Sequence, residues 1–135
     1  MDSVRINPPE LYESTKFGFS HAAVDTKNGV IHLAGQVAWD AQCNVVGGND
    51  LAAQTRQALA NIKAVLKASG SSIEHLVRLR TYIVDHNVEK LGTVAGELAA
   101  FYGNVVPAPN TVVGVQALAL PAFLVEIEAT ALRSA

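Results

Sequence analysis

The sequence predicts an α+β domain with the element order β-β-α-β-α-β-β, in which two helices pack on one face of a mixed sheet. Two observations carry this prediction. Apolar residues recur every three or four positions in two segments, as in amphipathic helices, and every second position in the segments around them, as in half-buried strands. The chain has 135 residues, of which 50% are hydrophobic and 16% charged. This suits a single domain over residues 1–135 with a substantial core.

Two strands joined by a tight turn are predicted near the start of the chain. Residues 19–26 (FSHAAVDT) and 30–37 (VIHLAGQV) are the two candidate strands, and the Asn28-Gly29 pair between them is typical of a hairpin turn. The segment VRIN over residues 4–7 is a candidate for one further short strand. A polar loop that contains glycine then leads to the first helix.

Each of the two predicted helices has a polar residue that can cap its first turn and a glycine that ends it. Asn49 or Asp50 caps the first helix and Gly70 ends it, whereas Asn87 caps the second and Gly103 ends it. The apolar stripe of the first helix consists of Leu51, Thr55, Ala58, Leu59, Ile62, Val65 and Leu66. The stripe of the second consists of Leu91, Val94, Leu98 and Phe101. We expect the strand after each helix to run parallel to the strand before it.

Three later strands, over residues 75–84, 110–118 and 123–132, complete the predicted sheet. In the first of them, one side carries Val77, Leu79, Thr81 and Ile83, and the other carries Leu76, Arg78, Arg80, Tyr82 and Val84. In the last, Phe123, Val125, Ile127 and Ala129 oppose Leu124, Glu126, Glu128 and Thr130. We expect the helices to cover the apolar side. The other side, which also receives His32, mixes charged and aliphatic residues, as expected of a face that packs on another subunit.

The composition argues against several classes of function. The net charge of −2 gives no basic excess for binding nucleic acid. Cys43 is the only cysteine, and the four histidines have no metal-ligating spacing. The first ten residues lack the features of a signal peptide, and no apolar run approaches the roughly 20 residues that span a bilayer. We therefore expect a cytoplasmic protein that uses no metal and has no membrane partner.

Two glutamates, Glu126 and Glu128, project to the mixed side of the last strand. The simplest interpretation is that both pair with Arg78 and Arg80 on a neighbouring strand, and it fits Glu128 better. Glu126 lies nearer the start of its strand, where a carboxylate in a cleft between subunits can orient water or transfer a proton.

Six segments, in order along the chain, carry a resemblance to a known family. They are GFSHAA (18–23), VIHLAGQV (30–37), QTRQALANIKAVLKASG (54–70), VRLRTYIVD (77–85), AFYG (100–103) and PAPNTVVGVQALALPAFLVEIEATAL (107–132). Together they resemble the successive signatures of the RidA family, also called YjgF or L-PSP, over nearly the whole chain. The resemblance implies a chorismate-mutase-like fold and a homotrimer that binds small molecules in clefts between its subunits.

The resemblance also implies an activity. The best-known members hydrolyse reactive enamines and imines, which arise when pyridoxal-phosphate enzymes act on serine, threonine and similar amino acids. The products are a 2-keto acid and ammonia, and no cofactor is required. Matched residue by residue, Glu126 falls on the glutamate that positions water, and Gly35 falls on a glycine that contacts the substrate through its backbone. Asn110 and Thr111 fall on the segment that orients the substrate.

The chain departs from the family's pattern at three positions. Pro109 stands where the family has the arginine that holds the substrate carboxylate. Phe19 stands in place of a tyrosine in the wall of the cleft, and Ala95 stands in place of a frequent asparagine. Hydrolysis of 2-aminoacrylate, which carries a carboxylate, therefore loses its main support, unless Arg78 or Arg80 replaces the missing charge.

Three functions follow as alternatives. The first is an enzyme that deaminates a small imine or enamine other than 2-aminoacrylate, with Glu126 as its catalytic residue. Phe19, Gly35, Pro109, Asn110 and Thr111 then line the substrate site. The second is a trimer that binds a metabolite or a protein partner without catalysis. The third, an endoribonuclease-like inhibitor of translation, is disfavoured by the net charge.

Overall fold

A computed structural model gives the architecture, and the structure describes residues 2–134. The predicted order is confirmed, with the candidate strand near the N-terminus added to it. The strands are β1 (Ser3–Ile6), β2 (Ala22–Asp25), β3 (Val30–Gln36), β4 (Leu76–Val84), β5 (Asn110–Val115) and β6 (Val125–Leu132). The helices are α1 (Leu51–Ala68) and α2 (Val88–Tyr102), and short 3-10 turns occur at Ser14–Phe17 and Ile73–His75.

The six strands form one mixed sheet in the order β1-β2-β3-β6-β4-β5. β4 and β5, which α2 connects, pair in parallel, and every other neighbouring pair is antiparallel. Because β3 and β4 both run antiparallel to β6, they also point in the same direction. Both predicted parallel relations are therefore confirmed, although β6 lies between β3 and β4.

Both helices begin at the capping residues that the sequence predicts. The Asp50 carboxylate accepts a hydrogen bond from the Ala53 amide at 3.2 Å, and the Asn87 side chain accepts one from the Lys90 amide at 2.8 Å. Such caps satisfy amides that have no partner within the helix. Just beyond α1, Gly70 has φ 77°, a conformation that favours glycine.

The helices cover one face of the sheet and bury its apolar side chains. The core shared by α1, α2 and the central strands includes Ala58, Leu59, Ile62, Val65, Leu66, Leu79, Ile83, Val94, Val125, Ile127 and Ala131. A fully buried leucine or isoleucine contributes roughly 1.5–3 kcal/mol, so this layer accounts for much of the driving force for folding. The alternation predicted for the last strand is confirmed, because Val125, Ile127 and Ala129 are buried.

The alternation predicted for β4 is wrong at its first two residues. Leu76 pairs with Ala131 and Arg78 pairs with Thr130, so Val77 is an extra residue in the ladder. Such a bulge shifts the side chains before it to the opposite face. Leu76 is consequently buried, whereas Val77 is 43% exposed. From Arg78 onward the predicted faces are confirmed. No helix within residues 2–134 is both long enough and apolar enough to cross a membrane.

Candidate functional site

The face of the sheet opposite the helices, called the open face below, is built from alternate residues of the four strands β3, β6, β4 and β5. Register places one cross-strand row at Glu126, Tyr82 and Val113, and the next at Glu128, Arg80 and Thr111. A third row contains His32, Thr130 and Arg78. The open face thus carries the charged residues that the sequence assigned to it.

Glu128 is held by its neighbours on β4. Its carboxylate accepts a hydrogen bond from the Tyr82 hydroxyl, and the Arg80 guanidinium lies 3.5 Å away. The hydrogen bond to Glu128 raises the pKa of Tyr82, and contacts with Tyr82 and Glu128 raise the pKa of Arg80. The expected pairing is therefore confirmed for Glu128, with Arg80 as its partner.

Glu126 has no such partner. Within residues 2–134 its carboxylate makes no side-chain hydrogen bond and no salt bridge. Burial raises the pKa of Glu126, and the negative charge of Glu128 raises it further. Both causes disfavour the ionised form, so this carboxyl exchanges a proton closer to neutral pH than an exposed glutamate does.

Gly35 makes room for Glu126. A Cβ atom at Gly35 would lie 2.6 Å from Oε2 of Glu126, closer than real Cβ contacts allow. Any other residue here would have to displace the carboxylate. The register of β3 against β6 is irregular between Leu33 and Gln36, so the backbone around Gly35 departs from a regular ladder.

An aromatic cluster has Tyr12 at its centre, and Tyr12 lies near enough to Glu126 for the charge of that carboxylate to affect it. The Tyr12 ring lies edge-on to Trp39, with centroids 5.1 Å apart, and to Phe19, with centroids 6.5 Å apart. Burial raises the pKa of Tyr12 to about 12, and the charge of Glu126 contributes to that shift. Phe19 is 39% exposed, so the edge of the cluster is open to a ligand.

A chain of buried polar groups fixes the position of the Tyr12 ring. The ring nitrogen Nε2 of His21 lies 2.8 Å from the backbone carbonyl of Tyr12, which can only accept, so Nε2 carries the hydrogen. Nδ1 therefore accepts from the Gln36 amide nitrogen at 3.0 Å. This orients Gln36 so that its oxygen faces the Tyr12 hydroxyl at 3.5 Å. Burial lowers the pKa of His21, in agreement with a neutral ring.

The sequence analysis missed Tyr12, His21, Gln36 and Trp39 as parts of this site. Tyr12 and Trp39 lie outside the regular elements, where periodicity gives no signal. The only available signal was the presence of bulky aromatic residues in polar loops, which is a weak one.

The residues predicted at the start of β5 lie elsewhere on the sheet. The Thr111 hydroxyl, on the open face, accepts a hydrogen bond from the Arg78 guanidinium at 3.2 Å. Asn110 points the other way, and its side chain accepts from the buried Thr81 hydroxyl at 3.1 Å on the helix side. The carbonyl of Pro109 accepts from the Leu79 amide at 2.8 Å, so the parallel ladder begins at this proline.

The predicted site residues thus form two groups within one chain. Gly35 lies against Glu126, and Phe19 lies against Tyr12, whose pKa the charge of Glu126 affects. Thr111 lies two strands away from Glu126 and two residues along the strand. With strands about 4.8 Å apart and a rise of about 3.3 Å per residue, their Cα atoms are separated by about 12 Å. Residues 2–134 contain no cluster of histidine, cysteine and acidic side chains suited to a metal ion.

Comparisons with known proteins agree with this architecture. Residues 13–133 match the family model described as endoribonuclease L-PSP. A RutC family protein of Pyrococcus horikoshii is 36% identical over 103 residues, which cover 75% of this chain and 77% of that protein. A Yersinia pestis protein of unknown function from the conserved Rid protein family has a solved structure that is 50% identical, with a TM-score of 0.76 over 98% of this chain and 99% of that one. A second Rid family structure from Yersinia pestis is 27% identical, with a TM-score of 0.86 over 96% of this chain and 98% of that one.

Proposed function

The chain belongs to the endoribonuclease L-PSP family, which is the RidA or YjgF family named above, and on that premise we propose that it deaminates small reactive imines or enamines by hydrolysis. The observation that carries this proposal is the unpaired, half-buried Glu126 carboxyl beside Gly35. A carboxyl group whose pKa lies above its usual range is suited to both taking up and returning a proton.

Hydrolysis of an imine requires several proton transfers close to one carbon atom. In the proposed reaction, Glu126 takes a proton from water while the water oxygen bonds to the carbon of a protonated imine, and it then returns that proton to the nitrogen. Glu126 takes the remaining hydroxyl proton as the C–N bond breaks and the carbonyl forms, and the released ammonia takes up that proton and leaves as ammonium. Partial burial disfavours the ionised carboxylate of Glu126 and so increases its basicity.

The preferred substrate in this proposal is not 2-aminoacrylate. Pro109 removes the charge with which the family holds the carboxylate of 2-aminoacrylate, and loss of one member of a buried charge pair at such a position weakens binding by on the order of 2–5 kcal/mol. The aromatic cluster of Tyr12, Phe19 and Trp39 favours a ligand with an apolar side chain, which 2-aminoacrylate lacks.

A homotrimer of single-domain chains is part of the proposal. Glu126 and Thr111 are about 12 Å apart within one chain, so a small ligand that contacts both has to lie between two copies. Light scattering is expected to give about three times the chain mass of 14.2 kDa. A particle with the mass of one chain would contradict the trimer.

Release of ammonia tests the reaction. Imines are generated in place by an amino-acid oxidase or an amine oxidase, and their decay is followed with and without the protein. The Glu126→Gln variant is expected to lose about 10²–10⁴-fold in kcat/KM, the range typical of a lost general acid or base. Glu97→Gln is the matched control, because Glu97 pairs with Arg56 between the helices, away from the open face. Undiminished turnover in Glu126→Gln would refute the assignment.

The second candidate function is a trimer that binds a metabolite or a partner protein without catalysis. It is favoured by the replacement of three polar positions of the family by Pro109, Phe19 and Ala95. No ammonia release from any imine, together with a ligand retained by the protein, would support it. Endoribonuclease activity, which the family's description names, is the third candidate, and the net charge of −2 speaks against it.

A further inference from the structure

We propose that Arg78, oriented by Thr111, binds the anionic group of the ligand, so that the substrates are imines that carry a carboxylate as well as an apolar side chain. This choice of substrate class rests on the function proposed above. The binding of a carboxylate by Arg78 is a separate claim, and it can be tested without turnover.

The distribution of charge on the open face singles out Arg78. Arg80 is committed to Glu128 and Tyr82, so its positive charge is already balanced. By contrast, no carboxylate within residues 2–134 forms a salt bridge with Arg78. Its one side-chain partner there is the neutral hydroxyl of Thr111. Within residues 2–134, Arg78 is therefore a guanidinium on the open face without a carboxylate partner.

The hydrogen bond to Thr111 leaves most of the guanidinium available. Nη2 donates to the Thr111 hydroxyl at 3.2 Å, which restrains the orientation of the planar group. A guanidinium has five N–H donors, and two parallel donors match the two oxygens of a carboxylate. Thr111 thus pre-orders a side chain that otherwise loses considerable freedom on binding.

Open space of suitable size borders this group. A cavity of about 100 Å³ is lined by Arg78, Arg80, Glu128, Ala129 and Thr130. Since one water molecule takes up roughly 30 Å³ of the liquid, such a space has room for a carboxylate group. We therefore expect the anionic group of a ligand here.

Within one chain, Arg78 and Glu126 lie too far apart to contact the same small ligand. Arg78 pairs with Thr130, which lies four residues from Glu126 along β6, or about 13 Å. A ligand that contacts both residues must therefore join Arg78 of one copy to Glu126 of another. If a second copy's Glu126 paired directly with Arg78 instead, no ligand carboxylate would be needed, and the binding experiment below separates the two cases.

A matched pair of stable probes tests the binding. 4-Methyl-2-oxopentanoate carries a carboxylate where 4-methylpentan-2-one carries a methyl group, and the rest of the two molecules is the same. Calorimetric or NMR titration of the full chain is expected to show that the oxo acid binds at least 10-fold more tightly than the ketone. Arg78→Gln is expected to remove that preference and to leave the affinity for the ketone unchanged.

Three further variants control for an unfolded or inert protein. Arg78→Lys keeps the positive charge but lacks the two parallel N–H donors, and it is expected to retain part of the preference for the oxo acid over the ketone. Thr111→Val is expected to reduce that preference about 3-fold or more. Arg56→Gln, which removes an arginine between the helices, is expected to bind both probes as the unaltered protein does. The proposal is wrong if the unaltered protein shows no preference for the oxo acid, or if Arg78→Gln keeps it.

Turnover separates this inference from the proposed function. Phenylalanine with an amino-acid oxidase and 2-phenylethylamine with an amine oxidase give imines that differ only in the carboxylate. Arg78→Gln is expected to raise KM at least 10-fold for the first imine alone. If oxo-acid binding depends on Arg78 but no imine is hydrolysed, the proposed function fails and the binding site stands. If Arg78→Gln hydrolyses both imines with the same KM values as the unaltered protein, the proposed function stands and the binding site fails.

Discussion

Glu126 and Glu128 lie on the same strand and the same face, yet the two regions around them differ in every respect that affects reactivity. Glu128 is tied to Arg80 and Tyr82 and is open to solvent. Glu126 lies against Gly35 and forms no salt bridge within residues 2–134, and burial together with the charge of Glu128 raises its pKa. Two carboxyl groups about 7 Å apart along one strand thus lie in different environments. That of Glu128 holds the carboxylate in a structural pair, whereas that of Glu126 favours proton exchange.

Substitution of Gly35 should have the largest effect on this contrast. In Gly35→Ala the new Cβ would lie 2.6 Å from Oε2 of Glu126, so the carboxylate has to move. Misplacement by about 1 Å can reduce turnover about 10²-fold, and we expect a loss of that order in kcat/KM with the fold retained. Ammonia release and circular dichroism measure the two effects.

Gly92→Ala is the matched control for this change. Gly92 lies in α2, and a Cβ there meets nothing within 4 Å. Alanine is the better helix former by about 1 kcal/mol, so this variant should be slightly more stable and fully active. Equal activity of Gly35→Ala and Gly92→Ala would show that the position of Glu126 does not matter.

The second largest effect is expected in the pH dependence of kcat/KM, which should distinguish the roles of Glu126 and Glu128. Glu126 must be ionised to accept a proton from water, so kcat/KM should fall as the pH drops through its raised pKa, above the usual value of 4.5. Because the charge of Glu128 contributes to that shift, Glu128→Gln should move the acid limb of the profile to lower pH. A limb that stays in place in this variant would contradict the assignment of the limb to Glu126.

The pH dependence of the free energy of unfolding reports independently on the raised pKa of Glu126. A carboxyl whose pKa is raised on folding favours the folded state below its unfolded pKa, and this contribution is lost as the pH rises through the folded pKa. Glu126→Gln removes the ionisation, so the variant should be more stable than the unaltered protein at pH 7 and similar to it near pH 4. Thermal unfolding at the two pH values tests the sign.

Much of this contrast could be predicted from the sequence. Alternation placed both glutamates on the open face, and the periodicity of the helices determined which face they cover. The helix N-caps Asp50 and Asn87 could also be predicted from the sequence, because capping depends on residues close together in the chain. The bulge at Val77 could not, since Leu76 and Val77 are both aliphatic and the pattern does not show which of them faces the core.

The parts of the site that depend on strand order could not be predicted. The sequence does not reveal that β6 lies between β3 and β4, and this order brings Gly35 to Glu126 while it keeps Thr111 two strands away. Nor does it reveal the hydrogen-bonded chain of Tyr12, Gln36 and His21, whose members are separated by irregular segments.

The smallest expected effect concerns the structural glutamate. In Glu128→Gln the ion pair with Arg80 is lost, but the two side chains are 37% and 43% exposed, and pairs of this kind contribute only about 0–1 kcal/mol. The amide oxygen can still accept from the Tyr82 hydroxyl, so we expect a loss of less than about 1 kcal/mol in denaturant unfolding. Turnover above the acid limb should stay within about 3-fold, since Glu128 does not contact the reacting atoms in the proposed mechanism. A loss in kcat as large as that of Glu126→Gln would show that the two carboxylates act as a pair, and the contrast between their regions would then not be the basis of catalysis.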